Sequence, residues 1–293
     1  DILEISLEIP HEFGRMAAQT AKQVIIQKIR EAERNMVFGD FKDQEGKLIV
    51  GTIQRVESRK VLIDLGKVTG IVPLEHQVRT DRYRPGARMK FYVVSVAMNV
   101  RGPEIILSRT HENLVREIFT QEIPEITDGS VVIRGLARDA GYRTKIAVST
   151  DDNSIDPIGS CIGQRGGRIN TIIEDLNGEK IDIIKYSDDA TVFISNAMAP
   201  AKVSHVILNE EEKTAEVSVL TDQFSLAIGK GGQNVRLASI LTGWKINVKD
   251  EGGNQEIAGE EKENPGEENS SIEQSSVSES AVEEKPKKRK LKK

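Results

Sequence analysis

The sequence lacks several features that define common classes of protein. It has one cysteine, Cys161, in 293 residues, which excludes an internal disulfide framework and is typical of a reducing compartment. No apolar run approaches the roughly 20 residues that a membrane span needs, and no basic-then-apolar signal segment follows Asp1. We therefore predict a cytoplasmic protein without a membrane partner, and we interpret the start at Asp1 as the sign of a fragment.

The sequence also lacks the motifs on which catalytic and metal sites are commonly built. It contains no G-x-x-x-x-G-K-[ST] phosphate loop, no H-E-x-x-H and no paired cysteines. Its 4 histidines are scattered along the chain, which does not favour a catalytic or metal site. We predict no catalytic residue, no metal site and no cofactor, and we do not expect an enzyme.

Charge is unevenly distributed along a chain that is acidic as a whole. The formal net charge of −5, taken alone, argues against a nucleic-acid partner. Residues 47–110, however, contain 12 lysines and arginines against 5 aspartates and glutamates, a local net charge of +7. Such a basic segment attracts phosphate backbones, although a basic solvated face would have the same composition.

The pattern of apolar residues changes near residue 46. Residues 10–34 have apolar side chains at helical spacing and predict one long helix. Five short β-branched runs follow between residues 46 and 109, separated by glycine and proline, and they predict a five-stranded OB-type barrel. Aromatics make up only 4% of the chain, and of the adjacent pair Phe91 and Tyr92 we expect one to be core.

One loop of the predicted barrel has the residues of a single-strand binding site. Basic and aromatic side chains on OB-type barrels hold single-stranded nucleic acid by charge and stacking. The candidate residues of this loop are Arg79, Arg82, Tyr83 and Arg84.

A unit of about 65 residues occurs twice after the barrel. Each copy predicts two strands, a short helix, a glycine loop, a second helix and a third strand; the loops have the sequences CIGQRGGRI (161–169) and AIGKGGQNV (227–235). Asp156 and Asp222 each lie seven residues before the first loop glycine, and we expect both to cap the short helix. Ile162 and Ile228 are expected to anchor that helix in the core.

Each glycine loop has the chemistry of a phosphate cradle. Glycine permits backbone angles closed to other residues and close approach of a ligand, and the helix that follows begins with unpaired N–H groups. One G-x-x-G is a weak signal, but two in the same setting predict two KH domains, which clamp four nucleotides of single-stranded nucleic acid. The predicted RNA-binding residues of the loops are Gly163, Gln164, Arg165, Gly166, Arg168, Gly229, Lys230, Gly231 and Gly232.

The order of barrel and two KH units resembles the bacterial NusA family of transcription termination and antitermination factors. The phrases that carry the resemblance are VRTDRYRPGARMKFYV, LSRTH, IGQRGGRI, NGEKIDII and LAIGKGGQNVRLASILTGWKINV. It implies an α+β multidomain fold with the following segments: the end of an N-terminal polymerase-binding domain and a connector helix (1–40), an S1-type OB-fold (41–110), two KH domains of the prokaryotic type (111–187 and 188–250), and a disordered tail, acidic then basic (251–293).

The resemblance also implies a function and partners. A member of this family would bind nascent single-stranded RNA at RNA polymerase and modulate pausing, termination and antitermination, with polymerase contacted mainly through the N-terminal domain. Other transcription or antitermination factors are further expected partners, and a monomer is expected. Two alternatives stay open: the RNA-binding portion of an RNA-processing exoribonuclease, in which the KH unit precedes the S1 unit, and a ribosome-associated RNA-binding protein.

Overall fold

The structure, a computed structural model, describes residues 11–100, 102–252 and 255–257. It begins with a long helix, α1 (His11–Lys42), which continues past the predicted end at Arg34. The last turns of α1 pack on a β-barrel. Phe41 is buried in the barrel core, and Phe38 packs against that core. No helix within the described part of the chain is long and apolar enough to cross a membrane.

The five strands that the sequence predicts form a closed barrel: β1 (Leu48–Val56), β2 (Lys60–Asp64), β3 (Thr69–Pro73), β4 (Arg88–Asn99) and β5 (Gly102–Ser108). Around the barrel they lie in the order β1-β2-β3-β5-β4. Strands β3 and β5 pair parallel through Ile71 and Ile106, and the other pairs are antiparallel.

Phe91 and Tyr92 face opposite sides of the barrel wall, but both are buried. Phe91 fills the barrel interior. Tyr92 points outward into the core of the next domain, where its ring stacks on His111 with 4.5 Å between centroids. The expectation that one of the two is core is therefore too narrow, because a second domain covers the outer face of β4.

Two KH domains follow the barrel and repeat the predicted order. In each, a helix precedes two antiparallel strands, two helices flank a glycine loop, and a third strand pairs parallel to the second. The first KH domain contains α2 (Glu112–Glu122), α3 (Pro124–Thr127), β6 (Val132–Asp139), β7 (Arg143–Ser149), α4 (Pro157–Ile162), α5 (Gly167–Asp175) and β8 (Lys180–Lys185). The second contains α6 (Ala190–Ala197), β9 (Val203–Asn209), β10 (Thr214–Val219), α7 (Thr221–Ile228), α8 (Gln233–Thr242) and β11 (Lys245–Asp250).

Two local expectations about the short helices need correction. Asp156 caps α4 by accepting from the Ile158 N–H, but Asp222 lies inside the first turn of α7, whose N-cap is Leu220. Ile162 is 39% exposed, whereas Ile228 is buried as expected. Successive helical residues point about 100° apart, and in α4 the inward direction belongs to Cys161, which is fully buried.

A buried polar network joins the barrel to the first KH domain. The Arg109 guanidinium donates to Asp81 at 2.8 Å and to the carbonyls of Lys90 and Asp175 at 2.9 and 3.1 Å. Asn177 donates to the other Asp81 oxygen at 2.8 Å. A buried ion pair whose donors are this well satisfied has one favourable geometry, so the network sets the orientation of barrel and KH domain.

The two KH domains are joined by apolar and polar contacts. Ala147 and Ile184 of the first domain lie in the same cluster as the core of the second. At the edge, the Asp139 carboxylate accepts from Gln233 and Arg236 of α8 at 2.6 and 3.0 Å. Barrel and both KH domains are therefore held together by buried contacts.

A further short strand, β12 (Gln255–Ile257), pairs with β11. It lies within the segment 251–293 that the sequence predicts to be disordered. Apart from residues 251–252 and 255–257, that prediction lies outside the described residues, as does Pro10 at the predicted start of α1.

Candidate nucleic-acid interface

The two glycine loops have nearly identical backbones. The first glycines have φ/ψ of 72°/177° (Gly163) and 74°/176° (Gly229), and the last have 77°/14° (Gly166) and 74°/9° (Gly232). All four have positive φ, which glycine adopts without the clash that a Cβ would cause. Each last glycine is the N-cap of the helix that follows, so the N–H groups that begin α5 and α8 face the loop.

A close contact with the following helix explains the first glycine of each loop. A Cβ added at Gly163 would lie 2.8 Å from the Arg168 Cγ, and one added at Gly229 would lie 2.9 Å from the Asn234 Cβ. Arg168 and Asn234 each follow that glycine by five residues, so the same position of the second helix packs beneath both loops.

These two side chains also bind the end of the helix before the loop. Arg168 Nη1 donates to the Ser160 carbonyl at 2.7 Å and lies 2.9–3.0 Å from both carboxylate oxygens of Glu125. Asn234 Nδ2 donates to the carbonyls of Ala227 and Met198, both at 3.0 Å. Carbonyls at a helix C-terminus have no intrahelical partner, so a side-chain donor there fixes the angle between the two helices.

The middle residues of each loop point into solvent. Gln164, Arg165, Lys230 and Gly231 are all exposed. Arg165 has a left-handed backbone with φ 52° and ψ 25°, and its counterpart Gly231 has φ 62° and ψ 31°. A left-handed non-glycine residue costs roughly 1–2 kcal/mol, so the first loop keeps a guanidinium at this position despite strain.

An open groove of about 1050 Å³ lies beside the first loop. Its lining includes Gly163 and Gln164 of the loop and the acidic residues Glu125 and Asp156. The Arg168–Glu125 ion pair is part of this lining, so an extended ligand that crosses the loop would find open surface next to it.

The predicted basic loop of the barrel divides its residues between two directions. Arg79, Arg82 and Arg84 are exposed. Tyr83 instead packs against the barrel core, and its hydroxyl accepts from the Val78 N–H at 2.9 Å. Burial, and then the neighbouring Asp81 carboxylate, raise the pKa of Tyr83, so this ring holds the loop in place while the three guanidiniums face solvent.

The barrel loop and the residue after the second glycine loop both contact the hairpin between β6 and β7. Thr80 Oγ1 donates to the Gly141 carbonyl at 3.2 Å, at the turn between β6 and β7. At the same hairpin, Asp139 accepts from Gln233, the residue that directly follows Gly232. The first glycine loop begins α5, whose other end reaches the barrel through the Asp175 carbonyl.

Sequence reasoning missed the residues that hold the loops. The sequence predicts Arg168 as an RNA ligand, and in the structure its guanidinium has partners within the protein. It gives no prediction for Asn234 or Glu125. A signal for Asn234 was available, because it follows Gly229 at the same distance as Arg168 follows Gly163. Glu125 had no such signal, since its pairing spans 43 residues of sequence.

Fold and loops together define a class: a multidomain RNA-binding protein built from an S1-type barrel and two KH domains. Comparison with known families agrees with this class. Family profiles match the NusA N-terminal domain at 1–35, the S1 RNA binding domain at 42–109, the NusA-like first KH domain at 109–186 and the NusA-like second KH domain at 190–256.

Curated relatives that match most of the chain show the family to which it belongs. The chain is 48% identical over 257 residues to the transcription termination/antitermination protein NusA of Halalkalibacterium halodurans, covering 88% of this chain and 67% of that one. The Bacillus subtilis protein of the same name is 47% identical over 257 residues, with 88% and 69% covered. The Thermus thermophilus protein is 44% identical over 242 residues, with 82% and 62% covered. The chain belongs to the NusA family of transcription termination/antitermination proteins and spans about two-thirds of the length of these relatives.

Proposed function

We propose that the chain binds nascent single-stranded RNA at RNA polymerase and thereby modulates pausing, termination and antitermination. The observation that carries the proposal is the pair of glycine loops with matching backbones. Each loop precedes the N-terminus of a helix, in a protein that also contains an S1-type barrel. The names of the relatives support the transcriptional role, and the match of residues 1–35 to the NusA N-terminal domain supports contact with polymerase.

Different residues of the proposed RNA site have different tasks. The main-chain N–H groups of Gly163–Gly166 and Gly229–Gly232, together with Gln164, Arg165 and Lys230, contact phosphate. The exposed guanidiniums of the barrel loop, Arg79, Arg82 and Arg84, add charge along the strand. Arg168 and Tyr83 position these groups rather than contact RNA.

Paired substitutions in each loop test the RNA-binding half of the proposal. The variant Gln164→Asp/Arg165→Asp places two carboxylates where phosphate should lie, and Lys230→Asp/Gly231→Asp does the same in the second loop. Each changes the charge by −3, and Lys22→Asp/Gln23→Asp on the exposed part of α1 is a control with the same change. Fluorescence anisotropy with an unstructured RNA should show a loss of about tenfold or more for either loop variant, because phosphate contacts dominate affinity, and little change for the control.

A transcription assay with purified RNA polymerase tests the other half. The intact chain should change the lifetime of a hairpin-stabilised pause, and the loop variants should lose that effect in proportion to their loss of RNA affinity. Loop variants that stay folded and bind RNA like the intact chain would overturn the assignment of the loops. A pause lifetime that does not respond to the chain would overturn the role at polymerase.

A further inference from the structure

Tyr142 at the tip of the β6–β7 hairpin is an exposed aromatic side chain in a protein with few aromatic residues. Its side chain is 53% exposed, whereas every other aromatic residue whose side chain the structure describes is buried or half-buried. A large ring exposed to water is informative where rings are scarce, because the other rings in the described part of the chain are at least partly removed from water.

The hairpin tip presents this ring from a fixed backbone. The Tyr142 N–H donates to the Asp139 carbonyl at 2.9 Å, and the Tyr142 carbonyl accepts from the Lys180 N–H at 3.1 Å. On one side Gly141 donates to the buried Glu179 carboxylate at 2.8 Å, and on the other Arg143 forms two bonds to Asp182 at 2.6 and 3.0 Å. A ring displayed from such a tip loses little backbone freedom when it binds a partner.

The hairpin contacts both the barrel loop and the second KH domain. Next to Tyr142, the Gly141 carbonyl contacts Thr80 of the basic barrel loop. Three residues before it, Asp139 contacts Gln233 at the end of the second glycine loop. An RNA strand that follows these contacts from the barrel loop to the second glycine loop would therefore pass the hairpin tip.

The charges around the tip favour an anionic partner. The carboxylates of Asp139 and Asp182 are each bonded to an arginine. Lys180, Arg79 and Arg82 are exposed, and their side chains have no ion-pair partner within residues 11–100, 102–252 and 255–257. Aromatic rings among unpaired cations are the means by which proteins bind unpaired bases without reading their sequence.

We propose that Tyr142 stacks on an unpaired base of the RNA as it passes between the barrel loop and the second glycine loop. The proposal rests on the proposed RNA-binding function. It adds a contact of a different kind, because the two loops and the arginines act on phosphate whereas the ring acts on a base.

Two substitutions separate stacking from other roles of this residue. Tyr142→Phe keeps the ring and removes the hydroxyl, and Tyr142→Leu keeps an apolar side chain and removes the ring. Stacking on an aromatic side chain contributes about 1–3 kcal/mol per base, so Tyr142→Leu should bind an oligouridine that spans both loops at least fivefold more weakly. Tyr142→Phe should bind like the intact chain, and both variants should keep its urea midpoint and its salt dependence, since the ring carries no charge.

The comparison with the loop variants makes the test decisive. If the loop variants lose RNA affinity while Tyr142→Leu binds like the intact chain, stacking by this ring is overturned and the RNA site stands. If Tyr142→Phe loses as much affinity as Tyr142→Leu, the hydroxyl makes the contact and stacking is again overturned. If neither loop variant loses affinity, the proposed function itself fails. A crosslink from 5-iodouridine RNA to the peptide that contains Tyr142, weakened in Tyr142→Leu, supports the proposal directly.

Discussion

Removal of the Arg168 guanidinium tests whether this side chain acts on the first glycine loop by geometry or by charge on RNA. Its bonds to the Ser160 carbonyl at 2.7 Å and to Glu125 at 2.9–3.0 Å lie beneath the loop. Since the side chain is 34% exposed, the ion pair contributes less than about 1 kcal/mol. The charged bond to the carbonyl contributes about 1.5–3 kcal/mol. Arg168→Ala should therefore destabilise the first KH domain by about 1.5–4 kcal/mol.

The salt dependence of RNA binding distinguishes the two roles. Each phosphate neutralised on a single strand adds about 0.7 to the slope of log K against log salt concentration. If Arg168 only holds the loop, Arg168→Ala binds RNA more weakly at every salt concentration with an unchanged slope. Arg165→Gly is the contrasting variant: it should lower the slope by about 0.7. It should also gain about 1 kcal/mol of stability, because glycine adopts the left-handed backbone without strain.

Anisotropy titrations over a series of KCl concentrations, with urea unfolding of the same proteins, provide both measurements. Arg168→Asn is a matched variant, because asparagine is what the second loop has at Asn234, where it binds the carbonyls of the preceding helix. It should retain more affinity than Arg168→Ala. A slope that falls by about 0.7 in Arg168→Ala would show that the guanidinium contacts phosphate, and the positioning role would be refuted.

Three further predictions follow from the buried contacts. Asp81→Asn leaves the Arg109 charge buried without its counter-charge and should lower the free energy of unfolding, measured in urea, by about 3–5 kcal/mol. A loss below about 1 kcal/mol, as for an exposed ion pair, would contradict the buried network. Gly229→Ala places a Cβ 2.9 Å from the Asn234 side chain at φ 74° and should cost about 2–4 kcal/mol of stability. Gly167→Ala, at φ −58° and with no neighbour within 4 Å, should be neutral or stabilise the protein by about 0.5–1 kcal/mol. Equal effects of the two substitutions on urea unfolding would contradict this geometry. Burial lowers the pKa of Lys145 from 10.5 to about 8. Between these pH values the unfolded chain binds more protons than the folded chain, so the contribution of Lys145 to stability rises with pH by up to about 3 kcal/mol. The free energy of unfolding of the unsubstituted chain, relative to that of Lys145→Met, should rise across this window, and a constant difference would refute the prediction.

The glycine loops show how much of the site could be predicted from sequence. Glycine is the residue that tolerates positive φ, so Gly163, Gly166, Gly229 and Gly232 indicate a sharp bend from their positions in the sequence alone. Their repetition in the same order of strands and helices was enough to predict two KH domains. The exposure of Gln164 and Lys230 in the loops agrees with that interpretation.

The roles of neighbouring side chains could not be predicted in the same way. The pattern of charge marks Arg168 and Arg165 alike, yet one is bonded to Glu125 and the other faces solvent. Tyr83 lies among arginines in the sequence but packs against the barrel core, whereas Tyr142, which carried no motif, is exposed. Each outcome depends on which surface of another segment covers the side chain.

The sequence by itself determined the backbone of this protein: the long helix, the five-stranded barrel, the two repeats and the bends of their loops follow from periodicity and glycine position, which act over a few residues. Tertiary structure alone decided which charges are available to a ligand and how the modules are oriented. The Asp81–Arg109 pair spans 28 residues of sequence, and the bond from Gln233 to Asp139 spans 94. Pairings over such separations form because folding brings complementary groups together, and no local sequence pattern predicts them.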